Sequence, residues 1–464
     1  MLRGWLKLPF AIVNRQTGAT QFLPPDEFEA LLYCDGEIDV DSLVPALESI
    51  ELIALAREKG LVEASETPSP IQEYQRHHIY PARYIKSAHW SVTGRCNYRC
   101  RHCYMSAPDA KYGELSHEQC MSIIDQLHEC GVMNVSLTGG EPMVRKDFMS
   151  LVDALLKRHI NITTIYSNGK LVTPELLDAL DAHGVKPEFN MSFDGVGWHD
   201  WLRGVPGAEK AVTDAFTLCR KRGFPTGAEL TLHRKNRHTL RESVNLLASL
   251  GVAHLKTNPA APSGAWIENA GEDSLSYEDT YDIYLKYIPR FFEDGSPMDV
   301  HLGGFFKGNK GSMEYFISAW KYGGDPSAAA QCICGHARLN MYIAADGRTL
   351  PCMALSGLDV QKDFPMITEL GLKECITNSY YMSLIDTRLE CYLGHNPRCA
   401  ACGYKYICGG GCRANALTTS PDILSPDEAI CRIFTGGYVE KIEQAAAEAG
   451  GIALHRKPVT RISS

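Results

Sequence analysis

The sequence of 464 residues predicts an α/β chain organised around a closed or partly closed ring of strand–helix units. Candidate strands at 87–93, 132–137, 162–166, 188–193, 228–232 and 252–256 alternate with amphipathic segments. The helices between them are punctuated. Ser116 and Gln119 have the spacing of a capping box, and Cys120, Ile123, Ile124 and Leu127 then recur on one helical face. Phe148, Leu151, Val152 and Leu155 repeat that spacing, and Thr173-Pro174 opens a third helix that Gly184 closes. Short connections between such units favour a parallel sheet with right-handed crossovers.

This pattern predicts a partial (β/α)6 barrel, TIM-like, over residues 85–270. Residues 1–84 read as a separate small domain. Segments 8–14 and 20–23 form a hairpin around Arg15-Gln16-Thr17-Gly18, and short helices follow from Asp26 to Tyr33, at 40–47 and at 52–59. A last short strand is expected at 61–63 and a linker over 65–80. Residues 271–330 read as a helical connecting region, with a helix at 277–292 and a glycine-rich stretch at 303–324. A cysteine-rich domain occupies 331–464.

Composition excludes some functions. With 45% hydrophobic and 22% charged residues the chain is globular, and a net charge of −9 argues against a nucleic-acid partner. No apolar run spans a bilayer and no signal peptide opens the sequence, so a cytoplasmic protein with no membrane partner is expected. In a reducing compartment, 17 cysteines point to metal ligation rather than disulfides. Cys34, Cys120, Cys130, Cys219, Cys375 and Cys391 are scattered and read as core or surface residues, with Cys391 also a weaker candidate ligand beside the grouped ones.

The others are grouped. Cys96-x3-Cys100-x2-Cys103 directly follows the first barrel strand, where barrel active sites lie. Structural zinc sites and ordinary ferredoxin clusters take four protein ligands, whereas three thiolates imply a cuboidal cluster with one iron open to a chelating substrate. Later strand ends carry Thr138-Gly139-Gly140-Glu141-Pro142, Ser167-Asn168-Gly169, Ser192, Asp194-Gly195 and Arg203-Gly204. Taken singly, Gly-Gly-Glu-Pro is also a plain strand-to-helix turn, Ser167-Asn168-Gly169 a plain loop and Arg203 a surface charge.

The spacing of the three cysteines, with His102 before the third and Tyr104 after it, resembles the signature of the radical S-adenosylmethionine superfamily. The resemblance covers about residues 86–264. It implies a 4Fe–4S cluster on Cys96, Cys100 and Cys103 whose open iron binds S-adenosylmethionine. His102, Tyr104, Gly139, Gly140, Glu141, Pro142, Ser167, Asn168, Ser192 and Arg203 would line the cofactor site. Glu141 would accept from the methionine ammonium, and Ser192 and Arg203 would meet the ribose and carboxylate. In such an enzyme the 5′-deoxyadenosyl radical carries the chemistry and no protein residue need be catalytic. Glu229, on a barrel strand, is either a substrate-facing acid or a core hydrogen-bonding group.

The tail, Cys334-x12-Gly347-x4-Cys352 followed by Cys399-x2-Cys402-x5-Cys408-x3-Cys412 and Cys431, resembles the SPASM extension of radical enzymes that modify peptides. That resemblance implies two auxiliary 4Fe–4S clusters, three clusters in all. Cys334, Cys352 and Cys412 would hold one, with Cys332 as an unusual eighth ligand. Cys399, Cys402, Cys408 and Cys431 would hold the other. A zinc ribbon is the alternative for Cys399–Cys412 alone. The first domain resembles the winged-helix-like recognition element of ribosomal-peptide maturases, which takes up a leader peptide by strand addition.

The implied function is peptide maturation, forming a thioether, C–C or C–O crosslink in a precursor peptide with electrons from a flavodoxin or ferredoxin. Sulfatase (formylglycine) maturation, a radical dehydrogenase or coupling enzyme on a small molecule or cofactor-precursor peptide, and a non-catalytic metal-binding adaptor are the alternatives.

Overall fold

The computed structural model describes residues 1–40, 47–107, 110 and 113–454. The first ~80 residues build a four-stranded sheet from β1 (Leu2–Trp5), β2 (Leu8–Val13), β3 (Thr20–Phe22) and β4 (His78–Tyr80), in the order β3-β2-β1-β4. Helices Pro25–Leu32 and Leu47–Glu58 accompany it, and Phe28, Leu31 and Ala56 share an apolar cluster with Leu2 and Leu23. The hairpin is where its Gly-ended turn predicts it. Two expectations are corrected. Residues 61–63 form no strand, and the linker contains β4, which runs parallel to β1. The helix expected at 40–47 lies mostly outside the described residues.

The expected barrel strands are β5 (Ser87–Ser91), β6 (Asn134–Thr138), β7 (Asn161–Ser167), β8 (Glu188–Ser192), β9 (Thr226–Leu232) and β10 (His254–Pro259), all parallel. The parallel sheet extends further than the sequence suggests. The connecting region supplies β11 (Asp299–Leu302) parallel to β10, then β12 (Phe306–Gly308) and β13 (Glu314–Phe316) antiparallel beyond it. On the other side β14 (Asn340–Ile343) lies parallel to β5, with β15 (Thr349–Leu350) outside it. Finally β16 (Ile452–Ala453) pairs with β13. The cysteine-rich region therefore contributes to both edges of one twelve-stranded sheet.

Helices pack on one face of this sheet because their apolar stripes match it. Ile123, Ile124 and Leu127 in helix His117–Glu129, and Leu151, Val152 and Leu155 in helix Phe148–Lys157, join strand residues Trp90, Val135, Leu137 and Ile165 in one continuous core. The predicted box at Ser116 is formed: Gln119 N donates to Ser116 Oγ at 3.2 Å, and Ser116 N to Gln119 Oε1 at 2.8 Å. Among the described residues no helix is long and apolar enough to cross a membrane.

Candidate active site at the strand ends

Cys96, Cys100 and Cys103 lie in the loop that leaves the carboxyl end of β5. Neighbouring strand ends grip this loop through backbone. Gly140 N donates to Thr93 O and Glu141 N to Arg95 O, both at 2.9 Å. A Cβ on Gly140 would fall 2.2 Å from Arg95 O and 2.9 Å from the Cys96 Cβ, so only glycine fits. The glycine after β6 is needed to let the turn seat against the cysteine loop, whereas its sequence suggested approach to a ligand. From the other side Arg101 N donates to Leu202 O (2.8 Å) and Ala265 N to Cys103 O (3.0 Å).

The side chains named by the sequence divide into two sets. Glu141 is fully buried, and its carboxylate is turned into the protein. Ser167 Oγ lies 3.0 Å and Asn168 N 2.8 Å from Oε2, which ties the ends of β6 and β7 together. Burial raises its pKa to about 7 against the pull of those hydrogen bonds. The carboxylate expected to meet an ammonium also accepts from the Ser167 hydroxyl, and buried Pro142 opens the short turn that Glu141 caps. Asn168 Nδ2 reaches Asn97 Oδ1 at 2.7 Å and lies 3.9 Å from Cys96 Sγ.

Arg203 is not a surface charge. Its Nε donates to Asp194 Oδ2 at 2.6 Å and its Nη1 points to Cys100 Sγ at 3.7 Å. Asp194 is wholly buried, which opposes its ionisation, yet Arg203 and His199 hold its carboxyl far below the usual range. Its Oδ1 accepts from Thr231 N (3.0 Å), and its main-chain O accepts from Asn236 Nδ2 (2.8 Å). Asp194, His199 and Asn236 form the support on which Arg203 rests. The sequence named Asp194 without a role, and its position just past a strand end was the available signal. His102 Nδ1 is buried without a partner, and burial drops the pKa of that ring to about 3. Tyr104 follows the last cysteine, and burial raises its phenol. Ser192 is half-buried at the end of β8.

This constellation fits an iron–sulfur cluster and a polar ligand. Burial pushes the Cys96 thiol up to about 12 and raises Cys100 as well, so ionising these thiols together calls for a metal. Among the described residues no three His, Cys, Asp or Glu side chains converge tightly enough to hold a single ion. A cuboidal cluster spreads its thiolates over separate irons. Tyr98 N donates to Cys96 Sγ at 3.4 Å, the kind of contact that steadies a thiolate ligand. In the loop Tyr98 Oη and His102 Nδ1 are buried and unpartnered, as is Asn190 Oδ1 within β8. Such atoms are costly unless a polar ligand meets them.

In the C-terminal region the cysteines form two electrostatic neighbourhoods. Cys352 is acted on by Cys412 and Cys334, and Cys412 by Cys334. Cys408 is acted on by Cys399, Cys402 and Cys431. Cys332 shares the surroundings of Tyr322 with Cys334, while Cys391 is exposed. Tyr404 N to Cys402 Sγ (3.4 Å) and Gly410 N to Cys408 Sγ (3.3 Å) repeat the contact seen at Cys96.

The family model of the Radical SAM superfamily matches residues 90–247, the span holding the cysteine loop and its cradle. That span is a radical S-adenosylmethionine domain, and the chain that carries it is an enzyme. The curated relatives include the pre-heme d1 synthase of Dinoroseobacter shibae, 26% identical over 73% of this chain and 84% of that protein. The PqqA peptide cyclase of Granulibacter bethesdensis is 25% identical over 78% of this chain and 90% of its own. Among solved structures, Streptococcus suis SuiB bound to S-adenosylmethionine superposes with a TM-score of 0.64 at 16% identity, covering 93% of this chain and 98% of that one. SuiB has also been solved with its precursor peptide SuiA. The fold is shared along almost the whole chain.

Proposed function

We propose that this enzyme is a peptide maturase that makes an oxidative crosslink, a thioether, C–C or C–O bond, in a precursor peptide. One observation carries the reading. The N-terminal sheet ends in β3, whose outer edge pairs with no strand among those described and whose residues Gln21 and Phe22 are exposed. Between it and the start of the barrel strands lies a cavity of about 490 Å³, lined by Thr17, Phe22, Tyr84, Lys86 and Thr163 among others. A free strand edge beside a groove suits an extended leader peptide. The PqqA peptide cyclase among the relatives and the peptide-bound SuiB fold support the same reading.

Cys96, Cys100 and Cys103 would hold the catalytic cluster, with Arg203 beside Cys100 and the backbone of Gly139 and Gly140 under the loop. When bound there, S-adenosylmethionine supplies hydrogen-atom abstraction from an unactivated C–H bond. Protein groups position the cofactor and keep water out. Tyr98, Asn190 and His102 offer their unpartnered atoms to it. Cys334, Cys352 and Cys412, with Cys332 near, and Cys399, Cys402, Cys408 and Cys431 would hold two auxiliary clusters that accept the electron released by the substrate. An external flavodoxin- or ferredoxin-type reductant would supply the first one.

The test is anaerobic reconstitution with a short peptide encoded beside the gene. Release of 5′-deoxyadenosine together with loss of two hydrogens from the peptide supports a crosslink. Release with no change in the peptide's mass and no binding to residues 1–84 transfers the reading to another substrate. The haem-forming relatives make a tetrapyrrole the next substrate to try.

A further inference from the structure

One row of the sheet carries charge where a parallel sheet normally carries aliphatic side chains. Ser192 on β8 is in register with Glu229 on β9, Glu229 with Lys256 on β10, Lys256 with His301 on β11, and His301 with Lys307 on β12. In-register neighbours project from the same face, so these five side chains line up across five strands. The opposite face of the same strands is apolar and closed. Ala228, Leu255 and Val300 are buried there with Val244, Leu247 and Ile288 of the packed helices.

The charged face is open. The side chains of Glu229 and Lys256 are 41% and 45% exposed, although β9 and β10 are interior strands. Their charges are 4.0 Å apart, at the limit of an ion pair. Lys307 is exposed and has no ion pair among the described residues. His301 lies between the two lysines, and burial together with their charges lowers its pKa to about 4, so its ring is neutral at pH 7. The row thus presents two cations against one carboxylate.

Its position is equally specific. Ser192 is the last residue of β8, at the strand ends where the radical loop lies, and the chain beyond β10 meets that loop, Ala265 N donating to Cys103 O at 3.0 Å. The row therefore runs across the sheet beside the radical loop. A substrate held there would sit against it.

We propose that Lys256 and Lys307 seat a carboxylate of the substrate, with His301 between them and Glu229 fixing the orientation of Lys256. The enzyme would select a substrate with an acidic group near the reacting carbon. The inference rests on the peptide reading only for the source of that group, an acidic side chain or the terminal carboxylate. Ammonium groups suit this task because they bind carboxylates through charge-assisted hydrogen bonds.

Two measurements test it. The first needs no substrate: reductive methylation of the full-length enzyme, read lysine by lysine by mass spectrometry, with glutarate or glutaramide present. Glutarate should slow labelling of Lys256 and Lys307, leave exposed Lys210 unchanged, and have no counterpart with glutaramide. Equal labelling under both conditions overturns the proposal. The second uses the precursor peptide. Lys256→Met or Lys307→Met should weaken binding about tenfold for the native peptide. Neither should weaken it further once the recognised acid is an amide. Peptides with single Glu→Gln or Asp→Asn changes and one with an amidated C-terminus identify which carboxylate is read. Lys256→Arg retains the charge and should retain most of the affinity, which separates loss of the seat from loss of folding. Unchanged affinity in both Met variants overturns the proposal. Protection by glutarate without any peptide binding supports the seat and removes the peptide reading instead.

Discussion

The radical loop and the C-terminal cysteine region both gather thiols, but the protein surrounds them differently. At the loop the cradle is backbone: Thr93 O, Arg95 O, Leu202 O and the glycine after β6. Polar side chains there are left without hydrogen-bond partners at Tyr98 and His102. In the C-terminal region side chains close on the sulfurs themselves. Arg398 Nη2 lies 2.9 Å from Cys431 Sγ, Arg338 Nη1 3.5 Å from Cys332 Sγ and Tyr392 Oη 3.5 Å from Cys399 Sγ. Around the loop the contacts from side chains to sulfur are long, 3.7 Å from Arg203 to Cys100 and 3.9 Å from Asn168 to Cys96, whereas in the C-terminal region they are shorter. Buried atoms left without a partner in the loop are where a polar ligand would be met.

Substitutions can break that contrast. Cys100→Ser should abolish 5′-deoxyadenosine formation, whereas Cys431→Ser should leave that release in place and block product, as read by chromatography of both. Loss of nucleoside cleavage in Cys431→Ser would erase the distinction. Gly140→Ala should act almost as severely, because its methyl group meets Arg95 O and the Cys96 Cβ. Iron bound at the loop should fall while circular dichroism stays that of the folded chain.

Asp194→Asn leaves Arg203 buried with no counter-charge and should cost about 3–5 kcal/mol in urea unfolding. That contribution is present above the usual carboxylate range and persists until the pH falls well below it, since the Asp194 carboxyl is held far down in the folded state. Glu141 has the opposite sign. Its folded pKa is raised to about 7 from 4.5, so the apoprotein should lose up to about 3 kcal/mol between those values as pH rises. Glu141→Gln should flatten that slope, and an unchanged slope would show that the carboxylate is not what titrates. Ser116→Ala removes one helix cap whose side-chain hydrogen bonds stay within its own helix. It should cost about 1 kcal/mol without touching iron content, a baseline for the rest.

Much of this site was legible in the residues. Cysteine spacing and strand ends located the loop because both are local. What escaped was long-range. His78–Tyr80 is three residues long and reads as linker until β1 pairs with it. β11 and β14 join the sheet through partners that no sequence window contains. Gly-Gly-Glu-Pro does not say that Ser167 and Asn168 hold the Glu141 carboxylate. The Ser192 to Lys307 row is invisible in one dimension, since register alone brings those residues together. Glu229 was noticed singly and its neighbours were not.

The placement of β14 and β16 bears on how the protein is made. β14 covers the free edge of β5, the strand that feeds the cysteine loop, and β16 covers β13 at the other end of the sheet. A nascent chain that has just finished the sixth barrel strand still lacks both flanking strands. Until β14 is made, β5 offers an unpaired edge to any passing strand, a hazard for aggregation. Premature termination before residue 340 should therefore yield insoluble product, not a smaller working enzyme.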